Sequence, residues 1–130
     1  MLRTLLSAVA GFAAWLVLVT IADRVMRAEW PAYQAVWSAM AFTLPMMLAR
    51  LAESTAALIA ASWAAARIAP ASRLAPWAFA LLMLAIFVPY HLLYIWAKFP
   101  PWYHAYFLLT LVPLILIGAR LTSQRRAALS

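Results

Sequence analysis

The sequence predicts an all-α polytopic membrane protein, with four transmembrane helices in an antiparallel bundle that forms one domain of residues 1–130. Three observations carry that prediction. Hydrophobic residues make up 69% of the chain and charged residues 10%, whereas soluble domains run at about 45–50% and 25%. Four stretches approach the roughly 20 mostly apolar residues that a helix needs to cross a bilayer. All of the ten Lys and Arg residues except Arg50 stand at the ends of those stretches, and they form no continuous basic face.

The first span is expected over residues 5–22. Arg3, the apolar run and the small-residue ending Thr20-Ile21-Ala22 also fit a secretory signal peptide. The run from Leu5 to Ile21, 17 residues, exceeds the apolar core of about 7–15 residues of such a peptide, so the span is expected to stay as an anchor. Cleavage would leave a three-span protein. The second span is expected over 39–67, starting somewhere between Val36 and Pro45. The third is expected over 76–97 and the fourth over 103–119. Pro31, Pro70, Pro76, Pro100 and Pro101 fall in connections or first helical turns, where a missing N–H costs little. Pro45, Pro89 and Pro113 fall within or near spans, and each predicts a kink. No repeat of fixed period is present.

Cytoplasmic flanks carry the excess of Lys and Arg. Arg3, Arg67, Arg73, Arg120, Arg125 and Arg126 make six on one side, against Arg24, Arg27 and Lys98 on the other. Both termini are therefore expected in the cytoplasm. Trp and Tyr prefer the head-group level, which places Trp30, Tyr33, Trp37, Trp96, Trp102 and Tyr103 at the outer interface and Trp63 and Trp77 near the inner one.

The second span holds the strongest chemical signal. Arg50 and Glu53 are three residues apart, on one helix face where they can pair. A charged group at mid-bilayer costs about 2.5–3.5 kcal/mol on insertion scales, so such a pair marks a functional hypothesis. Glu53 lies 14 residues from Arg67 and His91 lies 15 from Pro76, or about 21 and 22 Å along a helix. Tyr90 and Tyr94 come out at the depths of Glu53 and Arg50. An intramembrane polar seam of Arg50, Glu53, Tyr90, His91 and Tyr94 between the second and third spans is therefore a candidate ion or ligand site. Its alternatives are a structural ion pair that locks the bundle, and a pair that snorkels to the surface. His91 alone fits a histidine hydrogen-bonded between helices better than a metal or haem ligand, since His104 is expected in a loop. Trp96, Trp102, Tyr103 and His104 form an aromatic outer rim on a proline-stiffened connection, either an interfacial belt or a binding lip.

The absence of cysteine removes disulfides, thiolate metal sites and cysteine nucleophiles. No P-loop, dinucleotide fingerprint, HExxH or GxSxG motif is present. No catalytic residue, metal or cofactor is assigned, and the charge of +7 points to anionic lipid head groups and not to nucleic acid. Small residues such as Gly11, Ala57, Ala61 and Ala65 permit close helix approach, within one bundle or in a homodimer. The sequence thus supports a non-enzymatic membrane component or accessory subunit with a structural polar cluster. The alternative is a small oligomeric proton-linked transporter using Glu53, and a ligand-binding sensor with the aromatic rim is a third reading.

Met47-Leu48-Ala49-Arg50-Leu51, the run Trp96-x-Lys98-Phe99-Pro100-x-Trp102-Tyr103-His104, and Leu111-x-Pro113-Leu114 together resemble a group of small four-helix bacterial inner-membrane proteins to which no activity attaches. The resemblance covers most of the chain. It implies the topology and a multi-pass place in a bacterial inner membrane, and it carries over no functional residue.

Overall fold

The structure, a computed structural model, describes residues 1–130 apart from the side chain of Arg126; that residue, counted above in the charge balance, lies outside the described side chains. Helix α1 spans Leu2–Glu29, α2 Pro31–Val36, α3 Leu44–Ala66, α4 Ala75–Pro89 and α5 Pro101–Leu129. A π-helical turn, Tyr90–Tyr94, continues α4, and a 3-10 turn, Trp96–Lys98, precedes α5. No strand occurs among the described residues. Four helices are long and apolar enough to cross a membrane: Leu2–Glu29, Leu44–Ala66, Ala75–Tyr94 and Pro101–Leu129. The fold is all-α, as the composition predicts.

The helix ends follow from local chemistry. Beyond Ala22 the chain turns polar, but Arg24, Met26, Arg27 and Glu29 are good helix formers, so α1 runs on to Glu29. It stops because the residue before a proline avoids the helical region, and Trp30 takes φ −126°, ψ 87° ahead of Pro31. Pro31 then opens α2, an element that the sequence reading did not anticipate. Pro45 falls in the first turn of α3, where it starts the helix instead of kinking it. Pro89 does perturb its helix. It removes one N–H from the ladder, and the next turn closes with π spacing, Ile95 N–H donating to the Tyr90 carbonyl at 3.3 Å. Pro113 lies inside a continuous α5.

Helix α1 packs on α3 and α4, and α5 packs on the same two, so α1 and α5 face each other across one diagonal of the bundle and α3 and α4 across the other. The core holds Trp15, Leu58, Ala61, Phe79, Met83, Leu111 and Ile115. Lipid tails are as apolar as leucine, so close packing and hydrogen bonds between helices hold such a bundle together. Gly118 lets α5 approach α3 so closely that a Cβ there would stand 2.5 Å from the Ile59 carbonyl oxygen. Three hydroxyls pin helix to helix by donating to backbone carbonyls: Ser7 to Ala65, Ser62 to Ile115 and Thr122 to Trp63.

Candidate functional site

A cavity of about 600 Å³ opens at the end of the bundle where α1 finishes, α3 begins and α4 gives way to its π turn. Its charged lining is Asp23, Arg24, Arg27, Arg50 and Glu53. Its walls include several aromatic rings, among them Trp15, Phe42, Phe87, Tyr90, Tyr103 and Phe107. A second cavity of about 850 Å³, at the opposite end, is lined by Arg3 and Met1 among mostly apolar residues, and its apolar walls suit a lipid chain.

The polar groups fall into three layers. Outermost is a network on Asp23. Arg50 Nη1 donates to Asp23 Oδ1 at 3.2 Å and also to the Tyr33 hydroxyl, which itself donates to Asp23 Oδ1 at 2.6 Å. Trp37 Nε1–H is shared between both Asp23 oxygens, at 3.2 and 3.0 Å. Arg50 also lies over the Phe42 ring, 4.7 Å from its centroid, and Arg27 over Trp37 at 4.0 Å. The network ties α1, α2 and α3 together. Tyr33 is fully buried, and burial pushes its hydroxyl above the ordinary tyrosine range; donation to Asp23 acts in the same direction against the opposing pull of Arg50.

This corrects the expectation for Arg50. Its ion-pair partner is Asp23, and no ion pair joins Arg50 to Glu53 among the described residues. Glu53 stands one helical turn further in with its Oε2 buried and without a hydrogen-bond partner. Two other buried side-chain atoms share that condition, Arg50 Nε and Trp15 Nε1. All three belong to residues that line the one cavity.

The middle layer holds a histidine pair. His91 is 3% exposed and His104 1%, and their Nδ1 atoms lie 2.9 Å apart. His104 therefore belongs to the buried end of α5 and not to a loop, a second correction. His104 Nε2 lies 3.2 Å from the Trp96 carbonyl oxygen, an acceptor only, so His104 carries its proton on Nε2. With His104 neutral, its Nδ1 accepts from His91 Nδ1–H. The neutral His91 tautomer then presents Nε2 as a lone pair, and that nitrogen has no protein partner while the His91 ring borders the cavity. The innermost layer is an aromatic floor of Trp15, Phe87 and Phe107, whose ring centroids lie 4.9, 5.4 and 6.4 Å apart in edge-to-face contacts.

Of the expected seam, Arg50, Glu53, Tyr90 and His91 do border one cavity, whereas Tyr94 is 76% exposed and does not. The seam is also not a contact of neighbouring helices, because α3 and α4 stand on a diagonal with the cavity between them. The aromatic rim divides. Trp96 and Trp102 are exposed, but Tyr103 is buried and lines the cavity. Sequence reasoning missed Asp23, Tyr33, Trp37 and Trp15.

The fold and this cavity define a helical membrane protein with a polar chamber at one end of its bundle. Compared with protein-family models, curated proteins and solved structures, the chain matches none.

Proposed function

We propose that the chain is a non-enzymatic multi-pass protein of a bacterial inner membrane, with both termini cytoplasmic, that binds a small solute in the chamber at its outer end. One observation supports this above the others: the three buried polar atoms without partners among the described residues, Trp15 Nε1, Arg50 Nε and Glu53 Oε2, all belong to residues that line that chamber. Buried polar groups are nearly always hydrogen-bonded, and an exception calls for an explanation. A volume of about 600 Å³ falls within the range of about 300–1,000 Å³ typical of small-molecule sites. Proton-linked carriage of the solute by a homodimer would use the same groups, with Glu53 and His91 as the exchanging pair.

The competing reading is an accessory subunit whose polar cluster is purely structural, and the Asp23–Arg50 network favours it. Glu53→Gln separates the two. A residue held for ligand binding contributes little to the fold, so the variant is expected to unfold at or above the wild-type temperature in lipid nanodiscs. A loss of more than about 1 kcal/mol, the size of a broken native hydrogen bond, would assign Glu53 to the structural cluster and end the solute-binding reading.

A further inference from the structure

We infer that the second cavity, at the end of the bundle opposite the chamber, holds one phospholipid with an anionic head group. Its phosphate sits at Arg3 and its acyl chain runs along α4. The inference is independent of solute binding in the chamber. The cavity lies between the first turn of α1, the connection from α3 to α4, and the first two turns of α4. Its volume of about 850 Å³ is at the upper end of the range of about 300–1,000 Å³ for small-molecule sites.

Polar and apolar groups are sorted along it as they are along a lipid. Trp77, in the first turn of α4, is 53% exposed, the position of a side chain at head-group level. Leu81 stands four residues further on, about 6 Å deeper, and is 69% exposed, so the cavity opens sideways onto the acyl chains. At the shallow end Thr4 Oγ1 and Ser72 Oγ lie 2.9 Å apart. One hydroxyl donates to the other, which leaves one of the two O–H groups free to donate. Beside it Arg3 is exposed and makes no ion pair, since the only ion pair among the described residues joins Arg50 to Asp23. A phosphate accepts from both groups, and guanidinium is the cation best shaped to hold one. The charge of the rest of the head group follows from what is missing around it. The lining has no carboxylate among the described residues. The chain's three carboxyl side chains, Asp23, Glu29 and Glu53, all stand toward the chamber end. The ammonium of an ethanolamine or choline head group would thus find no counter-ion here, while Arg67 and Arg73 at the same end add to a field that favours net negative charge.

The test is native mass spectrometry of the full-length protein, released from detergent micelles doped with phosphatidylglycerol, phosphatidylethanolamine or phosphatidylcholine of identical acyl chains. The wild type is expected to retain one phosphatidylglycerol at a concentration at least tenfold lower than either of the others, the size of one charge-assisted hydrogen bond. Arg3→Gln should abolish that preference, and Arg120→Gln, which removes a charge outside the cavity lining, should leave it intact. Ala78→Phe fills the wall between Trp77 and Leu81 and should lower retention of all three lipids. Equal retention of the three by the wild type would overturn the proposal, and so would an equal effect of Arg3→Gln and Arg120→Gln, which would mean diffuse charge and no site. Displacement of the lipid by glycerol 3-phosphate, which has no acyl chain, would assign the cavity to a soluble phosphate and overturn it as well. The wild-type ranking decides the matter even where a variant fails to fold.

Discussion

Arg50 meets its surroundings through two different nitrogens, and they do different work. Nη1 is committed to Asp23 and Tyr33, while Nε is buried without a partner. The Asp23 contact is expected to hold the outer ends of α1 and α3 in register. Asp23→Asn and Arg50→Gln should each destabilise by about 1–3 kcal/mol, the cost of stranding a partly buried partner. The double variant should cost less than the two together, with a coupling of about 1 kcal/mol, in a thermal-unfolding cycle in nanodiscs. Additive losses would show that the two side chains act independently. The sequence reading chose Glu53 as the partner from the three-residue spacing. Such a helical pair yields only about 0.2–0.5 kcal/mol, whereas Asp23 offers a carboxylate already bonded by Tyr33 and Trp37. The register was legible in principle: Asp23 lies six residues before the end of α1 at Glu29, and Arg50 six after the start of α3 at Leu44. It escaped because the expected span ended at 22 and put Asp23 outside.

At the scale of elements, the four long helices were legible because apolar runs of that length have only one use in lipid. Their rotations and neighbours were not, since hydropathy does not distinguish a lipid-facing leucine from a core one. Helix α2, the π turn and the entry of His104 into the buried layer depend on where Pro31, Pro89 and Pro101 start or interrupt helices. Prolines mark such places without saying which outcome follows. The α3–α5 contact is the most extensive in the bundle and carries a sharp prediction. Alanine favours a helix over glycine by about 1 kcal/mol, so Gly118→Ala should stabilise an isolated helix. Here its Cβ would stand 2.5 Å from the Ile59 carbonyl oxygen and 2.8 Å from Ser62 Cβ, backbone and a short side chain that cannot swing aside. Net destabilisation of about 1–3 kcal/mol is expected from such overpacking. Gly11→Ala should cost less, because its nearest atoms, on Phe79 and Ala65, stand at 3.0–3.1 Å. Wild-type unfolding temperature in Gly118→Ala would refute the close approach.

For the whole molecule, orientation decides which compartment the chamber faces. The chamber end carries Arg24, Arg27 and Lys98, and one of these is partly spent: Arg27 donates to Gln34 Oε1 at 2.7 Å and covers Trp37, while Asp23 and Glu29 share its helix. The opposite end carries Arg3, Arg67 and Arg73, and α5 delivers Arg120 and Arg125 to the same side. That helix is 29 residues long, about 43 Å, and so outruns a hydrocarbon core of about 30 Å with its basic end. Under the proposed topology this positive-inside bias puts the chamber on the outer face. A chain without cysteine is a ready background for the measurement. Single cysteines at Ser38 and Ala97, both exposed near the chamber, should react with a membrane-impermeant maleimide in intact cells. One at Ser130 should react only after the membrane is opened. The reverse pattern would turn the chamber to the cytoplasm, where its solute would have to be drawn from the cell interior and not from outside.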